Sequence, residues 1–120
     1  MSNKTIYVCG EEKLLNLLKW ILREFNEEVT ILQSGSEEKL QLDLDKHFDM
    51  LFLDSETPTK PVVEFLRNIH RRKPALKTIL VVFPANREEV MAIIKENLVR
   101  GVVVRPFTAE VVCNYVGKLL

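Results

Sequence analysis

The sequence predicts an α/β domain: a doubly wound sheet of five parallel strands, in the order 2-1-3-4-5, wrapped by five helices. Three observations carry that expectation. Residues 50–53 (MLFL) and 78–83 (TILVVF) are short, almost wholly apolar runs, as in strands buried on both faces. Between such runs lie stretches whose apolar residues recur at helical spacing. Each run also ends in glycine, proline or small polar residues, which punctuate rather than extend it. Strands alternating with helices of this length imply right-handed crossovers and therefore parallel pairing.

Taken in order, residues 5–9 (TIYVC) form a β-branched and aromatic run closed by Gly10, a first strand. From Glu11 to Phe25 apolar residues fall at 14, 18, 21 and 25, widened by 15, 17 and 22, which predicts a helix. Glu11 and Glu12 sit in its first turn, where the helix dipole favours negative charge. Trp20 lies at the edge of the stripe, where partial burial is expected. Residues 28–33 (EVTILQ) form a second strand, ended by Ser34-Gly35. Ser36 caps a second helix with Glu37 and Glu38 behind it. Its pattern is mixed: Leu40, Leu42 and Leu44 alternate as in a strand, although 40 and 44 also share a helical face.

Residues 48–54 form the central strand, stopped by Ser55-Glu56-Thr57-Pro58. Pro61 opens a third helix at its first turn, with Val62, Phe65, Leu66 and Ile69 as its buried face. His70-Arg71-Arg72-Lys73 complement the dipole at its carboxyl end. After the fourth strand (78–83), Asn86 caps a helix running to about Leu98, and Arg100-Gly101 turns the chain. Residues 102–104 form the fifth strand, ended by Arg105-Pro106, and Thr108 caps a last helix to Leu120.

Composition narrows the function. The 120 residues suit one domain with a real core, and 47% are hydrophobic. Seventeen basic and seventeen acidic residues cancel, which argues against broad nucleic-acid binding. No apolar run approaches the roughly 18 residues of a membrane helix. Cys9 and Cys113 lie far apart in apolar surroundings and read as reduced core thiols of a cytosolic protein, not as a disulfide or a metal pair. His47 and His70 have no partners at ligand spacing and are expected to face solvent.

In the 2-1-3-4-5 order the first and third strands meet at the switch point, where such sheets place ligands and chemistry. Gly10-Glu11-Glu12, Asp54–Glu56, Val82-Phe83-Pro84 and Val104-Arg105-Pro106 then converge on one edge around Asp54. Two acids from separate loops can hold a hard divalent cation. An arginine beside them either pairs with a phosphoryl group on Asp54 or simply forms an ion pair with Glu11 or Asp54.

With these residues the whole chain resembles the receiver domain of two-component response regulators, the CheY-like fold. The likeness rests on Phe48-Asp49-Met50-Leu51-Phe52-Leu53-Asp54 with Pro58 four residues on, and on Arg105-Pro106-Phe107-Thr108 after the last strand. The resemblance implies that Asp54 is the phosphoacceptor. It also implies that Mg²⁺ is held by an acidic pair after the first strand, by Asp54 and by the backbone carbonyl of Glu56.

The departures are as informative. The family's acidic pair falls on Gly10-Glu11, so one carboxylate is missing, and helix geometry points Glu12 elsewhere. The hydroxyl residue ending the fourth strand falls on Val82, and the small residue after it on Phe83, whose ring would crowd Asp54. The family lysine falls on Arg105, a planar fork in place of a point charge, and the aromatic switch position falls on Val102. These substitutions imply an atypical receiver, a pseudo-receiver in phosphorelay signalling. It would bind Mg²⁺ weakly or not at all, turn over no substrate, and act mainly as a protein-interaction module. The alternative is a working receiver phosphorylated on Asp54 with Mg²⁺. The partners implied are a histidine kinase, a phosphotransfer protein or an output domain. A homodimer could also form through the last two helices and fifth strand, whose apolar arc of roughly 200° on the last helix exceeds what one sheet face needs. A cofactor-binding flavodoxin-like reading is disfavoured, since Glu11 and Glu12 stand where a phosphate loop would need free backbone N–H groups. The chain would be a single receiver-like domain, complete in itself or excised from a longer protein.

Overall fold

The computed structural model describes residues 4–25 and 29–120. Its elements are β1 (Lys4–Cys9), α1 (Glu12–Ile21), β2 (Val29–Ser34), α2 (Glu37–Asp43), β3 (Met50–Asp54), α3 (Val62–Arg72), β4 (Lys77–Val82), α4 (Arg87–Lys95), β5 (Gly101–Val104) and α5 (Ala109–Leu119). The five strands are all parallel, in the order β2-β1-β3-β4-β5. No helix among the described residues is long and apolar enough to cross a membrane.

The uniformly apolar β3 is explained by helices on both faces. Leu51 and Leu53 point to one side with Tyr7, Cys9, Leu80 and Val82, where they meet Leu40, Phe65, Leu66 and Ile93 from α2, α3 and α4. Met50 and Phe52 point to the other side with Ile6, Val8, Ile79 and Val81, against Leu14, Leu18, Val112 and Val116 from α1 and α5. Successive residues of a strand face opposite ways. A strand covered on both sides therefore has no polar alternation.

The mixed segment of residues 37–44 is helical. Ser36 caps it, its hydroxyl accepting from the Lys39 N–H at 3.2 Å. Leu40 and Leu44 are buried four residues apart, while Leu42 is 75% exposed. Asp43 is turned into the core, where the buried Tyr7 hydroxyl donates to it at 2.5 Å and Lys39 and Lys46 pair with it. The Tyr7 hydroxyl, with those two lysines, holds the Asp43 carboxyl below the usual carboxylate range.

Several boundaries differ from the sequence expectation. Glu28, expected to open β2, lies outside the described residues. The first helix ends at Ile21 and continues as a tighter 3-10 turn through Phe25. The third strand starts at Met50, although Phe48 is buried with its ring 5.0 Å from that of Tyr7. Pro61 stands outside α3 as its cap, with ψ 131°, and its carbonyl accepts from Phe65 N–H at 3.2 Å. The fourth strand is shifted by one residue and leaves Phe83 outside the ladder.

After a 3-10 turn at Pro84–Asn86, α4 stops at Lys95, three residues short of Leu98. Asn97 adopts a left-handed φ of 56°, and the N–H groups of Leu98 and Asn97 reach back to the carbonyls of Ile93 and Ile94. This is a Schellman stop, with buried Leu98 and Ile93 as its apolar contact. Gly101 is the first residue of β5 and not a turn residue. A Cβ there would lie 2.3 Å from Cε1 of Tyr115, so glycine lets the α5 ring lie directly on the strand.

Trp20 is 59% exposed rather than partly buried. The buried stripe of α1 is Leu14, Leu15, Leu18 and Ile21, and at 100° per residue Trp20 falls on the opposite side, where Arg23 stacks on its ring at 3.9 Å. Cys9 is buried and Cys113 half-buried, and neither is in a disulfide. Burial raises the Cys9 thiol pKa to about 11. At the end of α3, Arg72 donates to Gln41 and Asp45 and Lys73 to the Lys46 carbonyl, so these cations tie α3 to the α2 side as well as facing the helix dipole.

Candidate functional site at the carboxyl edge of the sheet

Asp54 is the last residue of β3, and parallel pairing places the carboxyl ends of β1, β4 and β5 beside it. Its two oxygens have different partners. Oδ1 accepts from the Glu56 N–H at 3.0 Å, which folds the following loop back over the strand end. Oδ2 accepts from Arg105 Nη2 at 2.7 Å. The Asp54 side chain is only 6% exposed and that of Arg105 18%.

Arg105 is positioned by backbone before side chain. Its N–H donates to the Val82 carbonyl at 2.9 Å, continuing the β4–β5 ladder by one residue. From there the guanidinium spans two loops, Nη2 on Asp54 and Nη1 on Glu11 Oε1 at 3.4 Å. The ion pair to Glu11 or to Asp54, left open on the sequence, is made to both at once.

Phe83 meets the pocket through Arg105. Its ring lies over the Arg105 guanidinium, 4.8 Å from Cζ, and one side of it remains exposed. The register explains the contact: Val82 pairs with Val104, so the next residues out, Phe83 and Arg105, become neighbours. Sequence reasoning missed this stacking, although the one-residue offset of Phe83 and Arg105 from paired strand ends carries the signal. Among the described residues, Arg105 Nε is the one buried side-chain polar atom without a hydrogen-bond partner.

Gly10 is closed in by the same arrangement. A Cβ there would lie 2.9 Å from both Asp54 Cβ and Leu14 Cδ2. Real Cβ atoms do not approach so closely, so any side chain at position 10 would require Leu14 and Asp54 to shift. Glu12 lines a groove with Gly10, Asn16, Lys19, Gln33 and Lys39. Val82 is buried among the apolar residues of the α2–α4 side, and Val102 packs against the same cluster. Among the described residues, no three His, Cys, Asp or Glu side chains gather closely enough to hold a metal ion. His47 is largely exposed with Nε2 3.4 Å from Asp49, and His70 is exposed.

Met91 and Ile94 on α4, Val104 on β5 and Val111 on α5 are apolar side chains that each stay between 38% and 48% exposed.

No family model matches the chain, and no curated protein matches it. Solved structures do. The response regulator receiver domain protein (CheY-like) from Methanospirillum hungatei JF-1 superposes with a TM-score of 0.80 at 21% identity, covering 98% of this chain and 93% of that one. The isolated REC domain of RcsB from Salmonella enterica serovar Typhimurium, obtained with the phosphomimetic BeF3-, gives 0.86 at 17% identity, covering 98% and 88%. A structure named as adenylate cyclase from Rhodopirellula baltica gives 0.81 at 14% identity, covering 97% and 86%. What they share with this chain is the fold, which is therefore that of the CheY-like receiver domains: five parallel strands in the order 2-1-3-4-5 between two layers of helices.

Proposed function

We propose that this chain is a receiver-type domain of two-component signalling that has kept the fold and lost the phosphoryl switch, and that it acts by binding another protein. The observation that carries this reading is the state of Asp54: its outer oxygen is paired with Arg105 at 2.7 Å beside a Val82 that has no hydroxyl to donate. In receiver chemistry the acceptor carboxylate must attack a phosphorus atom while nearby donors stabilise the charge that develops. Losing one such donor costs roughly 2–4 kcal/mol of transition-state stabilisation in comparable oxyanion sites. Here Asp54 starts from a charge-assisted pair that would have to open first. No turnover of a substrate is proposed.

The exposed apolar side chains of Met91, Ile94, Val104 and Val111 support the interaction role. They are the residues we assign to the partner, which is a kinase, a phosphotransfer protein, an output domain or a second copy of the chain. Sedimentation at high concentration separates the last from the others: a concentration-dependent shift abolished by Ile94→Lys identifies self-association, and a monomer throughout excludes it.

One observation favours the second reading, a working phosphoacceptor using Mg²⁺. The nucleophile is intact at the end of β3, with Arg105 close enough to pair with a phosphoryl oxygen. Titration with beryllofluoride and millimolar Mg²⁺, followed by backbone amide shifts at Asp54, Val82 and Arg105, decides between the two. The proposal expects no saturable response. Saturable shifts spreading into α4 and α5, lost in Asp54→Asn, would overturn it.

A further inference from the structure

We propose that Arg105 is the resident cation of this pocket: its guanidinium bridges Glu11 and Asp54 in the role that a divalent ion would otherwise take, and removing it would create a divalent-cation site that the parent chain lacks. The inference deepens the reading above and rests on it.

The geometry is that of one cation shared by two carboxylates from different loops. Nη2 meets Asp54 Oδ2 at 2.7 Å and Nη1 meets Glu11 Oε1 at 3.4 Å. A guanidinium carries its charge at every accessible pH and presents donors in a rigid fork, so a single side chain can serve both anions. The fork is aimed wholly at the two acids, since both terminal nitrogens face carboxylates while Nε is buried without a partner. The Phe83 ring covers the guanidinium from one side at 4.8 Å.

The remaining residues do not fit a divalent ion beside this arrangement. Hard dications take oxygen ligands only, and the two side chains able to supply them here are the two that Arg105 engages. Gly10 supplies no further carboxylate, and a Cβ there would fall 2.9 Å from that of Asp54, so that a side chain at this position would press on the pair. Adding a dication without expelling Arg105 would place like charges at contact distance. Expelling it would break both of its ion pairs, the one to Asp54 being largely buried. A lysine ammonium, compact and on a flexible stem, could draw back from such an ion, whereas the stacked planar fork of Arg105 has less freedom to do so.

The corollary is that Arg105 joins the β5–α5 corner to the ends of β1 and β3 with no metal and no phosphoryl group involved. The pocket would then be held in one state.

The test is a Mn²⁺ titration read by paramagnetic broadening of the amide signals of Gly10, Glu11, Asp54 and Glu56. It is run on the parent, on Arg105→Ala and Arg105→Gln, and on Arg105→Ala combined with Asp54→Asn. Arg105→Gln keeps most of the side-chain bulk, and unchanged amide dispersion elsewhere identifies whichever variant retains the fold. The expected result is selective broadening in the single variants at concentrations that leave the parent unaffected. The gain should be about tenfold or more in affinity, as removal of a unit positive charge at contact distance implies, and Asp54→Asn should reverse it. If neither parent nor variants bind, the inference fails while the degenerate-receiver reading stands. If the parent binds as tightly as the variants, the inference fails; a parent that also takes beryllofluoride overturns the reading itself.

Discussion

Replacing Tyr7 by phenylalanine isolates one buried polar contact in this fold and gives it a pH signature. The Tyr7 hydroxyl, fully inside the sheet, donates to Asp43 Oδ2 at 2.5 Å, and Lys39 and Lys46 approach Oδ1 at 3.3 and 3.2 Å from the solvent side. Burial raises the tyrosine pKa further above neutrality, so the phenol is a donor throughout the working range. A hydrogen bond to a charged acceptor contributes about 1.5–3 kcal/mol, and the phenyl ring keeps the volume, so Tyr7→Phe should cost about 2 kcal/mol at pH 7. The sign of the pH dependence follows from Asp43, whose carboxyl is held below its ordinary value of about 3.9 chiefly by this same hydroxyl. A depressed carboxylate stabilises the folded state above the unfolded pKa and loses that contribution as pH falls through the folded value. The parent's advantage over Tyr7→Phe should therefore be constant from neutrality to about pH 5 and shrink below about pH 4. Urea denaturation at several pH values measures it, with equal m-values as the check that only stability has changed. A deficit that is the same at pH 3 as at pH 7 would refute the electrostatic account. So would a double-mutant cycle with Asp43→Asn that shows no coupling.

Three further outcomes follow from the packing. Gly101→Ala should destabilise by about 1–3 kcal/mol, because the new methyl meets the Tyr115 ring; combining it with Tyr115→Ala should recover part of that loss in thermal melts. Leu40→Ala should cost about 2–5 kcal/mol, while Leu42→Ala, on the outer side of α2, should stay within about 0.5 kcal/mol; equal effects would argue for a strand at residues 40–44. Asn97→Ala, at a left-handed helix stop, should cost about 1 kcal/mol, whereas Asn97→Gly should be no less stable than the parent in the same denaturation assay.

The sequence by itself determined the layers. Unbroken apolar runs at 50–53 and 78–83 require cover on both faces, and helical stripes between them supply it, so strand order and parallel pairing follow from few alternatives. Ser36 and Thr108 were readable as caps because a hydroxyl before a helical stripe has few other local uses, and both accept from the N–H three residues on. Asp54, Glu11 and Arg105 could be brought to one edge by topology alone.

What the tertiary structure decided was each case in which two readings satisfy the same local pattern. The leucines of α2 fit a strand or a helix until Tyr7 engages Asp43 on the inner face. Gly101 fits a turn or a strand until the Tyr115 ring lies on it. Arg105 fits a phosphoryl ligand or an ion pair until its fork is found on two carboxylates, with Phe83 above it and no side chain at Gly10 to add a third. Local spacing encodes which face a residue takes. The contacts it makes there depend on side chains far away in the chain, in steric and electrostatic competition that only the folded arrangement resolves.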